Sequence, residues 1–318
     1  MAKTSRRRQG PGTNLDKKGW VGDNGTKGVW TKFADIVVNE TNGISLIGDR
    51  KNRYSQKGVV STKGGNDILK GSSSSGPGIY LETAFLMTSD GDDLITGSFF
   101  SDAPYDSEAV EVPVILLKNT YLSTGSGNDS ITGYSGSYQG GGLHLLNSRI
   151  VAHDGNDIIS VGGEWWADVG ILVGTYSEIE MGEGDDIIES EYGLRVDSRG
   201  EIKMEDGNDL IEVGEIGQIQ NSGTVDFGSG DDTLAGFGYG SGLFDGGAGS
   251  DLLRLPDGQY TLLRSGAEVL ITNESLQVMR IAGFEFVGSL SDGYAVPIDM
   301  NAIPSGFVIG ASEVITAF

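Results

Sequence analysis

Glycine, any one residue and aspartate recur together eight times in this 318-residue chain. The copies are Gly65/Asp67, Gly91/Asp93, Gly127/Asp129, Gly155/Asp157, Gly184/Asp186, Gly207/Asp209, Gly230/Asp232 and Gly249/Asp251. Further acids crowd them, since 16 of the 40 residues in the five-residue windows ending at these aspartates are Asp or Glu, against 45 of 318 overall. Carboxylate and carbonyl oxygens gathered in glycine turns indicate binding of a hard divalent cation.

The amino-acid composition limits which metals and which partners the chain can bind. The chain has no cysteine and two histidines, which excludes thiolate metal sites and disulfides and argues against zinc or copper. A net charge of −23 argues against nucleic acid or an anionic membrane as a partner, because both require a basic face. No apolar run approaches the ~20 residues that a membrane span needs.

The elements that position the acidic turns are visible once the sequence is anchored on each aspartate. Seven residues before it the residue is always apolar: Val60, Leu86, Leu122, Ile150, Ile179, Ile202, Val225 and Phe244. Two residues after it the same holds: Leu69, Ile95, Ile131, Ile159, Ile188, Ile211, Leu234 and Leu253. Nine residues before it the residue is small: Gly58, Ala84, Thr120, Ser148, Ser177, Gly200, Gly223 and Gly242. This pattern predicts a strand, a small-residue corner, a second strand, the acidic turn and a third strand.

A single coil of this kind cannot bury its apolar side, whereas stacked coils bury continuous columns of Ile, Leu and Val. The sequence therefore predicts an all-β fold, a parallel β-helix or β-solenoid of about eight coils. Stacking sets the carboxylates of successive turns only ~5 Å apart, where they repel one another unless a cation neutralises them. Calcium fits best, because it accepts six to eight oxygen ligands in flexible geometry.

The turns resemble the RTX family of calcium-binding repeats, whose pattern is Gly-Gly-x-Gly-x-Asp-x-(apolar)-x. "GGAGSDLLR", from Gly246 to Arg254, fits the whole pattern, whereas "TGSGNDSIT", "MGEGDDIIE" and "FGSGDDTLA" lack only the first glycine. Loss of the first glycine in seven of the eight copies favours longer, roughly three-sided coils over the tandem nine-residue β-roll.

The resemblance implies which residues hold several calcium ions between adjacent coils. The motif aspartates would supply carboxylates and their neighbours would supply carbonyls. The predicted metal site comprises Asp67, Gly91, Asp93, Gly127, Asp129, Gly155, Asp157, Gly184, Asp186, Gly207, Asp209, Gly230, Asp232, Gly247, Gly249 and Asp251. The alternative is a turn that uses glycine and aspartate only for its backbone geometry.

Four segments follow from these patterns. Residues 1–19 read as a flexible basic tail, 20–57 as an N-terminal cap with an irregular first coil, and 58–255 as the calcium-binding solenoid. Residues 256–318 read as a C-terminal β cap that covers the last coil edge. RTX proteins typically leave the cell by type I secretion through an uncleaved C-terminal signal, and the ending "ASEVITAF" is similar to one. The N-terminus has no apolar segment of a secretory signal peptide.

A second candidate site is a corner of long loops that precede the first strand of successive coils. Its aromatic residues, together with nearby acids, suit a sugar-binding groove or glycoside hydrolysis, whereas the alternative is that the loops fold over one another as a local core. They are Phe100, Tyr105, Tyr134, Tyr138, Trp165 and Trp166. Tyr80, His144 and Arg195 occupy equivalent positions on the first strands, and His153 lies inside an acidic turn.

Two classes of function remain open. The first is a secreted or cell-surface calcium-binding protein with a structural, adhesive or surface-layer role, without catalytic residues. The second is a polysaccharide-acting lyase, epimerase or glycoside hydrolase. Metalloprotease, nucleophile-elbow and phosphate-loop motifs do not occur in the sequence, so a non-enzymatic protein is the first expectation. Its expected partners are calcium and polysaccharide or other cell-surface components.

Overall fold

The computed structural model of the chain is a three-sided parallel β-solenoid. It describes residues 13–16, 19–21, 27–28, 36–39, 44–47, 58–62, 64–100, 112–137, 140–163, 169–214, 218–290, 297–310 and 314–315. Each coil contributes one strand to each of three long sheets, so the prediction of a parallel β-solenoid is confirmed. The only helical segment in the described part is a 3₁₀ turn, Met300–Ala302.

The parallel strands of the three sheets are given in chain order. The first sheet contains Ile44–Ile47, Ile79–Glu82, Val112–Lys118, Gly140–Leu146, Ile171–Val173, Gly193–Val196, Gln218–Asn221 and Gly238–Tyr239. The second contains Gly58–Ser61, Ala84–Met87, Tyr121–Ser123, Arg149–Asp154, Glu178–Glu183, Glu201–Asp206, Thr224–Asp226, Leu243–Asp245 and Val278–Ala282. The third contains Ile36–Asn39, Ile68–Ser73, Leu94–Phe99, Ser130–Ser135, Ile158–Gly163, Ile187–Ser190, Leu210–Val213, Thr233–Ala235, Leu252–Leu255 and Phe286–Ser289.

Further strands extend the sheets at their ends. At the N-terminal end of the first sheet, Thr13–Asp16 pairs parallel to Ile44–Ile47 and is followed by antiparallel Gly19–Val21 and Lys27–Gly28. At the C-terminal end the additional strands are antiparallel: Gln259–Ser265, Glu268–Asn273, Phe307–Gly310 and Val314–Ile315 in the second sheet, and Ile298–Asp299 in the third. In the stack, Val278–Ala282 and Phe286–Ser289 thus form one further parallel layer beyond residue 255, and the antiparallel strands lie outside that layer.

The apolar columns predicted from the sequence form the solenoid interior. All sixteen residues of the two predicted columns are at most 2% exposed, and they pair in register, for example Ile131 with Ile159 and Ile159 with Ile188. Each buried side chain of this size contributes roughly 1.5–3 kcal/mol of burial free energy. The first sheet adds two inward residues per strand, such as Leu143 and Leu145. Stacking of like residues therefore holds successive coils together.

Three corners connect the strands of each coil. The first corner joins the first and second sheets through a single residue in the left-handed region: Thr83 (φ 54°), Asn119 (φ 49°), Asn147 (φ 51°), Tyr176 (φ 60°) or Arg199 (φ 64°). The second corner is the acidic turn, between the second and third sheets. The third corner leads from the third sheet to the next coil. The left-handed residue directly precedes the small residue that the sequence marked as a corner.

Candidate metal centre in the acidic turns

From the second turn onward, each acidic turn bends the chain with two left-handed residues. One is the motif glycine two residues before the aspartate, as at Gly184 (φ 141°), and the other lies two residues earlier, as at Gly182 (φ 119°). The earlier position is also occupied by Ser89, His153 and Glu205, all with positive φ. The turn geometry therefore persists where the second glycine of the RTX pattern is lost.

The motif glycines stack so closely that no side chain fits between them. A β-carbon on Gly207 would lie 1.8 Å from the carbonyl oxygen of Gly184, and one on Gly230 would lie 1.6 Å from the carbonyl oxygen of Gly207. Both distances are far below van der Waals contact. The glycine is required by the backbone of the neighbouring coil as well as by its own φ angle.

We expect Gly230→Ala to lower the free energy of unfolding by about 3 kcal/mol or more, because a coil must shift to admit the methyl group. Gly266→Ala is the matched control, since Gly266 also has a positive φ (68°) but meets no atom within 4 Å. The control should lose only the left-handed strain of about 1 kcal/mol. Urea unfolding in saturating calcium measures both, and equal losses would contradict the stacked-glycine geometry.

The motif aspartates form a buried ladder along the inside of this corner. Each backbone amide donates to the carboxylate of the next coil, as from Asp157 to Oδ1 of Asp186 (2.7 Å) and from Asp186 to Oδ1 of Asp209 (2.8 Å). The same bond joins every neighbouring pair from Asp67 to Asp251 at 2.7–2.9 Å. All eight side chains are at most 3% exposed. The bend removes these amides from the sheet, and the carboxylates satisfy them.

A second ladder runs along the outside of the corner in the opposite direction. The residue before each motif aspartate accepts, through its side chain, a bond from the amide of the following coil. Examples are Asn156 to Asn128 Oδ1 (2.8 Å) and Asn208 to Asp185 Oδ1 (2.8 Å). This explains why the middle position is Asn or Asp in the first seven turns, since both carry a side-chain oxygen that accepts. Ser250, in the eighth turn, donates its amide to Asp231 Oδ1 (2.9 Å). The sequence carries this signal, since only three residue types occur at the position.

In the inner ladder, Oδ1 of each motif aspartate accepts a backbone amide, whereas Oδ2 takes no part in these bonds. Oδ2 is buried and accepts no hydrogen bond in Asp157, Asp186, Asp209, Asp232 and Asp251. At Asp93 and Asp129 the neighbouring Thr88 and Thr124 hydroxyls lower the carboxyl pKa but do not outweigh burial. A buried carboxylate oxygen without a partner costs several kcal/mol unless a proton or a cation neutralises it.

Burial also shifts the titration of this column. It is the main cause that raises the pKa of Asp186 to about 8, with repulsion from the neighbouring aspartates adding to it. The pKa rises to about 7 for Asp93, Asp129 and Asp232, and to about 6 for Asp157, Asp209 and Asp251. Without a cation, the most strongly shifted carboxyl of the inner ladder, that of Asp186, therefore keeps its proton near neutral pH.

The donor set suits a hard cation better than a transition metal. Within the described residues, no three His, Asp or Glu side chains gather around one point, so a cation here would also use backbone carbonyls. Oxygen ligands of this mixed kind are typical of calcium. The orphaned Oδ2 atoms and the glycine carbonyls at this corner therefore fit a calcium ion.

The position of the missing first RTX glycine lies in the solenoid interior. Met181, Met204 and Phe227 occupy it in three successive coils and are fully buried. Thr62, Thr88 and Thr124 occupy it in the first three coils, and each hydroxyl donates to the carbonyl at the same position of the next coil. A side chain at this position fills space that the wider, three-sided coil leaves open.

A ninth turn continues the column beyond the eight that the sequence revealed. Glu285 occupies the position of the motif aspartate, and its Oε2 accepts the amide of Asp251 (3.0 Å). Gly283 lies two residues before it with φ 72°. The spacing concealed this turn, because the inward residue Ile281, which pairs with Phe244, precedes the acid by four residues instead of seven. The inner ladder thus ends on a longer carboxylate.

The loop corner proposed as a sugar site is described only in part. Phe100 and Tyr134 are adjacent, with ring centroids 5.8 Å apart, and they are 48% and 38% exposed. Tyr105, Tyr138, Trp165 and Trp166 lie outside the described residues. Two of the six predicted aromatic residues are therefore brought together at the third corner.

Tyr80, His144 and Arg195 share one outward row of the first sheet, as expected from their equivalent positions. Leu116 lies between the first two and Leu172 between the last two, so each pair is two coils apart. Burial lowers the pKa of His144 to about 4, which keeps its ring neutral. Side chains two coils apart cannot all contact one substrate atom, so the three do not form a joint catalytic group.

His153, inside the fourth acidic turn, makes a structural contact. It has φ 83°, and its Nε2 lies 2.9 Å from the Ser123 hydroxyl of the preceding coil. Ser61 and Ser89 occupy the equivalent positions two coils earlier, 3.4 Å apart. The repeated contact indicates that this pair ties neighbouring coils together.

No described helix is long and apolar enough to cross a membrane. Comparison with protein-family models, curated proteins and solved structures gives no match to this chain, so the repeat geometry itself carries the functional argument.

Proposed function

We propose that this chain is an extracellular or cell-surface calcium-binding β-solenoid of the RTX type, exported by type I secretion, with a structural or adhesive role. The observation that carries the proposal is the column of buried aspartate oxygens without a hydrogen-bond partner at Asp157, Asp186, Asp209, Asp232 and Asp251. Once these carboxylates lose their protons, a column of this length is stable only with a counter-charge.

The aspartates and the turn glycines would hold the ions. Each motif carboxylate already gives Oδ1 to an amide, which leaves Oδ2 as its ligand atom, and the carbonyl oxygens of the stacked glycines supply neutral ligands at the same corner. Bound calcium would supply positive charge to the column and link adjacent coils. The carboxylate column then stabilises the fold instead of destabilising it.

Replacing Asp186 with Asn tests the proposal without removing the inner ladder. The amide oxygen of Asn can still accept the Asp157 amide, which lies 2.7 Å from Asp186 Oδ1, but the charge is lost. We expect calorimetric titration to show about two fewer calcium ions per chain, because an ion between coils draws ligands from both. Without calcium at pH 8, the variant should be more stable than the original chain, since a buried charge is removed.

Asp197→Ala is the control, because Asp197 is ion-paired with Arg195 (2.8 Å) away from the acidic turns and should leave the number of ions unchanged. Loss of one ion in Asp186→Asn would show that each turn is a self-contained site. An unchanged number would show that the motif is only a turn.

A further inference from the structure

A groove runs along the first corner, on the side of the solenoid away from the acidic turns. It has a volume of about 390 Å³, within the range of small-ligand sites. One wall is the column of left-handed corner residues Thr83, Asn119, Asn147 and Tyr176, and the other includes Tyr121, Arg149 and Glu178 on the second sheet. Both walls are built from successive coils, so the groove is parallel to the solenoid axis.

The corner column presents hydrogen-bonding groups at the spacing of the coils. Asn147 Nδ2 donates to Asn119 Oδ1 (2.8 Å), which orients both amides. This bond leaves the amide nitrogen of Asn119 and the amide oxygen of Asn147 to face a ligand as one donor and one acceptor. Successive coils are ~4.8 Å apart, close to the advance of one sugar unit in an extended β-linked chain.

Tyr176 adds an aromatic surface at one end of the groove. It is 60% exposed although its backbone has φ 60°, a left-handed conformation that is costly for a bulky residue. Arg199 of the next coil donates to its hydroxyl, and the guanidinium lies 5.2 Å from the ring centroid. The ring is thus held in place on the surface, at a backbone position that glycine would occupy without strain.

The charges of the groove select a neutral ligand. Arg149 pairs with Glu178 at 2.9 Å and also with Glu180, and Lys203 pairs with Glu178 at 2.6 Å. Arg149 and Lys203 therefore offer no uncompensated positive charge to an anionic chain, and the Arg199 guanidinium is directed to the Tyr176 side chain. The net charge of −23 repels an anionic chain. Amides, hydroxyls and tyrosine rings complement the hydroxyl groups and apolar faces of sugars.

An extended peptide is a poor occupant. The backbone N–H groups of the corner residues already donate to carbonyl oxygens of the neighbouring coil. Asn119 N donates to Leu146 O (2.9 Å), and Tyr176 N donates to Arg199 O (3.2 Å). A peptide that lies parallel to the axis crosses the strands at a right angle, so it cannot add to a sheet edge. We propose that the first-corner groove binds a linear, neutral, β-1,4-linked oligosaccharide along the solenoid axis through Asn119, Asn147 and Tyr176.

Calorimetric titration of the full chain in saturating calcium, with hexasaccharides of glucose and of N-acetylglucosamine, tests this site independently of the metal proposal. We expect at least one of them to bind, and Tyr176→Gly to weaken binding at least roughly tenfold without lowering the melting temperature. Asn147→Gly, which also keeps the left-handed backbone favourable, should weaken binding in the same direction.

Tyr134→Ala, at the third corner, is the control and should bind like the original chain. Absence of binding to both sugars, or unchanged affinity in Tyr176→Gly, would overturn the proposal. So would stronger binding of oligogalacturonate or of an extended peptide. Loss of binding in Tyr134→Ala alone would place the sugar site at the loop corner instead.

Discussion

Removal of the proposed calcium ions is expected to unfold most of the solenoid at pH 8, and lowering the pH to about 5 is expected to restore much of it. At pH 8 without a cation, each buried aspartate must either carry its negative charge in an apolar interior or stay protonated far above its ordinary pKa. Both states cost free energy. Burial raises the pKa of Asp186 to about 8 from an ordinary value of 3.8, and the other six described shifts have the same direction.

The sign of the pH dependence follows from this direction. Between about pH 4 and pH 8 the folded, metal-free chain binds more protons than the unfolded chain, so its stability is greatest at the acid end and is lost as the pH rises. With calcium bound the dependence reverses, because protons compete with the ion for the same oxygens. The two conditions should therefore give melting temperatures that change in opposite directions with pH.

Circular dichroism melts across pH 5–8, with calcium-stripped protein and with millimolar calcium, measure both dependences. Stripped protein is preferable to a chelator, whose own affinity changes with pH. Melting temperatures that coincide at every pH would contradict cation binding in the column. A melting temperature of the stripped chain that rises with pH would mean that the aspartates are not buried as described.

Ile159→Asp is expected to unfold the central coils, whereas Ile158→Asp should be tolerated. The two residues are neighbours on one strand, but Ile159 is 1% exposed between Ile131 and Ile188, and Ile158 is 37% exposed on the opposite face. An unpaired charge in the column costs about 4 kcal/mol or more, a large part of the stability of a typical domain. At the outward position the loss should stay below about 1 kcal/mol.

Urea unfolding in saturating calcium compares the two variants directly. They carry the same new side chain one position apart, so differences in charge and helix or strand propensity nearly cancel. Similar losses in the two would show that the facing of the third sheet has been assigned incorrectly. A larger loss of unfolding free energy in Ile158→Asp would mean that Ile158, not Ile159, faces the interior.

The sequence was sufficient to predict the fold because stacking repeats one environment in every coil. Ile159 and Ile188 meet the same neighbours, so the same residue type is favoured at each level, and the column is visible in a single chain. Where the environment does not constrain the side chain, the pattern disappears. The left-handed residue at the first corner differs in type from coil to coil, so the sequence marks this corner only by the small residue that follows it. It is Thr83, Asn119, Asn147, Tyr176 or Arg199.

The candidate site was predictable in its residues but not in its contacts. Repetition marked Asp186 and Gly184, yet a sequence does not tell which way a turn side chain faces, and the burial of the aspartates emerged only from the structure. The roles of the two ladders depend on hydrogen bonds between residues 19 to 36 positions apart. The ninth turn was missed because a shorter strand-to-turn spacing and a Glu285 broke the pattern.

The change of strand direction at the C-terminal end also bears on assembly. A parallel solenoid whose last coil resembled all the others would accept the first coil of another copy and grow into a fibre. Here the second sheet continues beyond Val278–Ala282 with antiparallel Glu268–Asn273, and the third continues beyond Phe286–Ser289 with antiparallel Ile298–Asp299. An incoming parallel coil would meet antiparallel edge strands on two of its three sides, which disfavours end-to-end stacking of copies at this end.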